Sequence, residues 1–173
     1  MKKTLVSGIL AALLATGAAH AAPVEKIGTV DLQRAVSESK EGAAARADLL
    51  KQTELLNAEL KVLLAEAEKL RTELDKGSDT MSADERAEKS RLLQKKGRDF
   101  QNRQREAQEE LKQIESDHLK KLVAKLGVIL AKIGEEEKFS VILDKNTGVF
   151  YAGGQTDVTP TLVKKADKEY QKH

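Results

Sequence analysis

The chain of 173 residues has no cysteine and no tryptophan, and only two prolines, three phenylalanines and two tyrosines. Without cysteine there are no disulfides, no thiol chemistry and no thiolate metal sites. Of the three histidines, His20 and His173 lie near the two ends and His118 stands alone as a seam or surface residue of a long helix. No nucleophile–base pair, phosphate loop or spaced set of metal ligands appears. The run Asp144-Lys-Asn-Thr-Gly148 begins like a calcium loop but lacks the acidic ligand at its far end, so it reads as a turn. This inventory predicts a protein that is not an enzyme and takes no cofactor. What the chain does have is charge, at 34%, with aromatics at 3%. That composition belongs to long helices or coiled coil and is poor material for a large compact core. A small body of this kind is expected to oligomerise to bury enough surface.

The first 21 residues read as a secretory leader. Lys2 and Lys3 precede an apolar run from Leu5 to Ala15, and Ala19-His20-Ala21 offers small residues for cleavage. The run is too short to anchor in a bilayer. Cleavage after Ala21 removes two lysines, leaving 28 basic residues against 28 acidic ones. Any electrostatic function of the exported chain must then come from charge segregation.

From Ala43 onward a heptad pattern sets in. Leu49, Leu56, Leu63 and Leu70 fall at one core position, and Thr53, Leu60, Ala67 and Leu74 at the other. Lys76 and a left-handed Gly77 are expected to end this helix. Ser82-Ala-Asp-Glu85 reads as a capping box that starts the next one. A stop and a start so close together predict an antiparallel hairpin with its turn near residues 76–82. The returning helix runs from Ala83 to about Ile133, with Gly134 as terminator, along Leu93, Phe100, Ala107, Leu111 and Ile114. At 1.5 Å per residue it is roughly 75 Å long and its partner roughly 50 Å. A compact domain of this size is only about 30–40 Å across, so the hairpin must project.

The remainder forms the body. Val24–Val30 is β-prone, Asp31 suits a strand end or helix cap, and Leu32–Ser39 suits a short helix that Gly42 interrupts. Phe139–Leu143 and Gly148–Ala152 are expected as two strands of a β-hairpin. Thr159 is expected to cap a last helix with Pro160 at its first position, stapled by Val158 and Val163, with Leu162, Val163, Ala166 and Tyr170 inward. The fold class is therefore mainly α with a small β portion. The arm is 49–115, and the discontinuous body is 22–48 with 116–173. Three strands with uncovered edges call for pairing between copies.

Taken in order, the leader, Lys26-Ile-Gly-Thr-Val-Asp31, the low-aromatic hairpin, Phe139-Ser-Val-Ile-Leu-Asp144, Val149-Phe-Tyr-Ala152 and Asp157-Val-Thr-Pro-Thr-Leu-Val163 resemble the Skp (OmpH-like) family of periplasmic chaperones. The resemblance covers essentially the whole mature chain. It implies a trimer with a β-rich hub and three arms around a cavity. The activity it implies is ATP-independent holding of unfolded outer-membrane proteins on their way to outer-membrane assembly. Candidate hub residues are Ile27, Val30, Phe139, Val141, Leu143, Val149 and Tyr151.

Two features of the arm suit that role. Arg86, Lys89, Arg91, Lys95, Lys96, Arg98, Arg103 and Arg105 are opposed over their span only by Glu88 and Asp99. Beyond them Glu106, Glu109, Glu110, Glu115 and Asp117 face a single Lys112. Some of the basic residues are expected to pair with acids such as Glu66, Glu68 and Glu73, and the group to present a basic surface to acidic clients or anionic lipid. The first helix also carries more leucine than its partner can cover. Leu50, Leu55, Val62 and Leu64 fall outside the core positions and are expected either to line the arm for clients or to pack on another protomer. Gly97 and Gln104 near the seam are expected to loosen the hairpin. A coiled-coil spacer and a non-specific nucleic-acid binder are the competing readings, the latter disfavoured by export.

Overall fold

The computed structural model describes residues 25–77 and 80–172. The expected leader, Val24, and Ser78 and Asp79 of the arm turn lie outside the described residues. In order, the elements are β1 (Ile27–Val30), α1 (Leu32–Glu38), α2 (Lys40–Lys76), α3 (Ala83–Glu136), β2 (Val141–Asp144), a 3₁₀ turn (Gly154–Thr156) and α4 (Thr159–Tyr170). The chain is mainly α with a small β part, as expected.

α2 and α3 have 37 and 54 residues, so they run about 55 and 80 Å. The main core lies at their base, where Val30, Ala35, Leu122, Leu126, Ile129, Ile133, Val158, Leu162 and Ala166 are buried together. Farther out on the hairpin only Leu56 and Ala107 are buried among the described residues. No helix among the described residues is long and apolar enough to cross a membrane.

The helix ends show where local reading and tertiary packing part. The break between α1 and α2 falls at Ser39, not Gly42. Ser39 has extended backbone, and its Oγ accepts the Gly42 N–H at 3.1 Å to cap α2. Gly42 sits inside the first turn because a Cβ there would lie 1.9 Å from the Val36 carbonyl oxygen. Gly77 follows α2 but takes φ −92°, outside the left-handed region. The Ser82–Glu85 capping box forms as expected.

Gly134 does not end α3. The helix continues to Glu136 and closes in a Schellman motif, with Phe139 N–H on the Gly134 carbonyl at 2.9 Å and Lys138 N–H on the Glu135 carbonyl at 3.3 Å. The left-handed residue is Lys138, at φ 58°.

The expected β-hairpin is absent. β2 pairs in parallel with β1, from Ile27 with Val141 to Val30 with Asp144. Gly148–Ala152 forms no strand. After Asp144 a turn closed by Thr147 N–H on the Asp144 carbonyl, with Gly148 at φ 92°, leads the chain away from β2. β2 is also not largely buried: Val141 and Leu143 face out. On its other side β1 receives Val158 N–H on the Thr29 carbonyl at 2.8 Å. β1 is thus enclosed and β2 keeps an open edge. Gly28 leaves room for the Phe139 ring, which a Cβ would approach to 3.0 Å.

α4 starts one residue away from the expected cap. Thr159 lies within the helix and Asp157 Oδ1 accepts its N–H at 2.9 Å. The buried Thr159 hydroxyl accepts the Asp31 N–H instead, at 2.9 Å, tying α4 to the end of β1. Val158, Leu162 and Ala166 are buried as expected, whereas Tyr170 is exposed.

Candidate binding surface

The seam of the hairpin follows the heptads. All eight core positions of α2, from Leu49 to Leu74, are buried or half-buried, while Leu50, Leu55, Val62 and Leu64 are exposed. At about 100° per residue, Leu50 and Leu64 lie on one flank of the seam and Leu55 and Val62 on the other. The seam is therefore complete without these four.

The basic residues of α3 divide in the same way. Lys89 pairs with Glu73 at 2.6 Å, Lys96 with Glu66 at 2.5 Å and Arg103 with Glu59 at 2.8 Å. The cations step up by seven and the glutamates step down by seven, as flanking positions of an antiparallel coiled coil should. All three cations are half-buried over the seam. The hydrogen bond from Arg103 holds the Glu59 carboxyl below its usual pKa, and the guanidinium is raised in turn. Lys89 does the same to Glu73, and Glu66 raises Lys96. Of the expected acids, Glu66 and Glu73 take part and Glu68 makes no ion pair among the described residues. Glu59 went unrecognised, although its seven-residue spacing from Glu66 and Glu73 is visible in the chain.

Arg86, Arg91, Lys95, Arg98 and Arg105 are exposed and make no ion pair among the described residues. Arg91, Lys95, Arg98 and Arg105 are separated by four, three and seven residues, which places them on one face of α3 away from the seam. The arm thus keeps four cations in a solvent-facing stripe while spending three on its own closure.

Below this ladder the packing changes. The inward residues of α3 run Ala107, Leu111, Ile114, His118, Leu122, Leu126, Ile129 and Ile133, with three successive steps of four around His118. Such a stutter locally relaxes the supercoil. A cavity of about 230 Å³ lies here, lined by Val36, Ala45, Leu49, Leu119 and Leu122 among others. His118 Nε2 meets Asp48 Oδ2 at 3.1 Å, and Lys125 pairs with Glu41. The Lys40 N–H donates to Asp167 Oδ1 at 2.7 Å, tying the start of α2 to α4.

The candidate hub residues separate into two sets. Val30 is 1% exposed and belongs to the protomer's own core. Phe139 and Val149 are half-buried, the former under Lys26, whose ammonium stands 3.9 Å from the ring centre. Ile27, Val141, Leu143 and Tyr151 are exposed, and Phe150 beside Tyr151 is fully so, at 103%.

A family model described as outer membrane protein (OmpH-like) matches residues 26–165. The chain belongs to this OmpH-like family. Among solved structures it is similar to a chain from Caulobacter crescentus described as a candidate outer membrane chaperone (OmpH-like). The two are 24% identical with a TM-score of 0.80, over 90% of this chain and 92% of that one. No curated protein sequence matches. The match begins at Lys26 and ends at Lys165, so the OmpH-like region spans β1, the entire hairpin and the first half of α4.

The body of this OmpH-like chain is held by an electrostatic node that the sequence reading missed. Asp157 Oδ2 takes Lys145 at 2.8 Å and Arg34 at 3.5 Å, while its other oxygen caps α4. Burial alone would raise its pKa, but the bonds from Lys145 and Thr159 outweigh this and hold it at about 2. Lys145 lies 12 residues and Arg34 lies 123 residues from Asp157, so no local signal marks these two ion pairs.

Proposed function

We propose that the chain is a periplasmic holdase that binds unfolded outer-membrane β-barrel proteins without ATP and keeps them soluble until assembly. The observation that carries this reading is an arm complete in itself yet left unsaturated. Its seam and its ladder are satisfied, and still it exposes Leu50, Leu55, Val62 and Leu64 on one helix and Arg91, Lys95, Arg98 and Arg105 on the other. Apolar contact contributes roughly 25 cal/mol per Å² buried, so scattered leucines hold a disordered chain by many weak contacts and release it readily. The free cations supply long-range attraction for acidic segments, or for an anionic lipid surface.

In this reading residues 49–115 are the arm, 22–48 and 116–173 are the body, and three copies join through their bodies. The open edge of β2, the outward Val141 and Leu143, and the exposed Phe150 and Tyr151 support that association. The chain acts by binding, with no catalytic group and no cofactor.

The test is dilution of a urea-unfolded β-barrel protein into buffer with substoichiometric trimer and no ATP. Suppressed light scattering is expected. Unchanged aggregation would favour a coiled-coil spacer, which has no use for the exposed leucines.

A further inference from the structure

Met81 holds the one sulfur atom among the described residues, since the chain has no cysteine and its other methionine is Met1. It stands at the tip of the arm, in the residue before the Ser82 cap of α3. An apolar side chain at that position usually packs forward, on the fourth residue of the helix. Here that residue is Arg86, and Met81 packs backward instead, onto the end of α2. A Cβ on Gly77 would lie 2.3 Å from Met81 Cε and 3.2 Å from its Cγ. The methionine methyl thus fills the place that a side chain at Gly77 would take. This accounts for a glycine whose φ of −92° any residue could adopt.

The contact closes a turn that the backbone holds at a single point. The Gly77 carbonyl accepts the Thr80 N–H at 3.1 Å and the Met81 N–H at 3.0 Å. Two open grooves flank the thioether. One, of about 550 Å³, is lined by Lys69, Lys76 and Lys89 among others. The other, of about 530 Å³, is lined by Ala83, Arg86, Ala87 and Ser90. Met81 lines both and is the one large apolar side chain in either. It is half-exposed, so a small oxidant reaches the sulfur from both sides.

We propose that Met81 is an oxidation site that sets how firmly the tip of the arm is closed. The oxidant class is hypohalous acid. With hypochlorous acid the sulfur gains one oxygen and loses two electrons, the O–Cl bond breaks, chlorine leaves as chloride and the proton goes to water. The product is methionine sulfoxide, which is polar where the thioether was apolar. Its oxygen finds no donor in the seat over Gly77, where the nearest backbone atom is the Glu73 carbonyl oxygen. Water and the ammonium groups of Lys76 and Lys89 lie in the groove beside it. The side chain therefore leaves Gly77, and the last turn of α2 and the first of α3 loosen. The chain holds no thiol that could reverse the step. Reduction falls to a dithiol-dependent reductase, with the oxygen leaving as water and the dithiol becoming a disulfide. The site is a property of the turn and does not depend on what the arm holds.

The test treats the full chain with one equivalent of hypochlorous acid and locates the added oxygen by peptide mass mapping. Native-state hydrogen exchange is then compared before and after. Amides of residues 74–77 and 86–90 should exchange about three- to five-fold faster in the sulfoxide form, as the loss of one buried methyl implies. Amides beside Leu126 should not change. A methionine sulfoxide reductase with dithiothreitol should restore the original rates. Met81→Leu should keep the turn closed and show no change on treatment. Met81→Gln, and Gly77→Ala, which drives the methyl off its seat, should each exchange faster without any oxidant. Circular dichroism would confirm helix content in every variant. Sulfoxide and thioether forms that exchange alike at the tip would overturn the proposal. So would a Met81 that stays unoxidised where free methionine in the same solution is fully converted, a treated Met81→Leu chain that loosens as the wild type does, or a Gly77→Ala chain as protected as the wild type.

Discussion

Replacing Asp157 by asparagine separates charge from shape at the node of the body. Asparagine keeps an oxygen to accept the Thr159 N–H, so the α4 cap survives, but the attraction to Lys145 and Arg34 is lost. The wild-type carboxyl sits at about 2 against an ordinary 3.8. At 1.36 kcal/mol per pKa unit, that corresponds to about 2 kcal/mol. The side chain is 15% exposed, and solvent screening reduces the figure to about 1–2 kcal/mol. The sign follows from linkage. A carboxyl with a depressed pKa in the folded state contributes its full stability above 3.8 and loses it as the pH falls toward 2. Urea unfolding at one fixed protein concentration, in steps from pH 7 to pH 3, should show Asp157→Asn less stable by that amount near neutrality. The gap should narrow below about pH 4. A gap that stays constant down to pH 3 would mean that the loss is steric, and the electrostatic account of the node would fail.

Lys138→Gly should stabilise the chain by about 1 kcal/mol in a thermal melt, because a left-handed conformation at φ 58° costs a side-chain-bearing residue roughly that much. Gly42→Ala should destabilise by at least about 2–3 kcal/mol, since the added Cβ would lie 1.9 Å from a backbone oxygen that cannot move without separating α1 from α2. Circular dichroism and urea melts would show this. The two sets of cations should behave differently on neutralisation. Glutamine at Arg91, Lys95, Arg98 and Arg105 should weaken capture of an acidic unfolded client, most at low salt, and should leave the melting temperature the same or slightly higher as the repulsion along α3 is relieved. Glutamine at Lys89, Lys96 and Arg103 should lower the melting temperature and leave capture largely intact. Phe150→Asp together with Tyr151→Asp should reduce the mass of the assembly in light scattering while leaving the hairpin helical.

What was legible in the chain was the local pattern. The heptads of α2 predicted which leucines turn inward, and Ser82 with Glu85 marked the start of α3, because both signals act within a turn or two of helix. Glycine misled for the opposite reason. Gly42 and Gly134 read as helix breakers, yet the first is demanded by a carbonyl of the preceding helix and the second lends its own carbonyl to a motif closed five residues later, at Phe139. The partner of β2 was not legible either. Val149-Phe-Tyr151 has strand propensity and lies near β2 in sequence, but the edge β2 uses is taken by β1, more than a hundred residues earlier. Pairing at that distance leaves no periodic trace. On the arm surface, the excess of leucine and of basic charge was legible as composition. Which members are free depended on knowing the register between two helices, which one helix alone does not contain.

That register explains why the arm divides its surface as it does. Flanking ion pairs one heptad apart fix the register of an antiparallel seam, and Lys89, Lys96 and Arg103 supply them with Glu73, Glu66 and Glu59. A helix built only to close on its partner could place neutral polar residues at Arg91, Lys95, Arg98 and Arg105 without loss. Free cations on one face repel one another and oppose the helix they sit on. The leucines on the flanks of α2 likewise cost solubility and add nothing to the seam. Both surfaces weaken the isolated arm as a spacer and gain a use only when something else covers them. An unfolded chain brings apolar and acidic segments together in varying order, and it can meet both surfaces at once without matching a fixed shape.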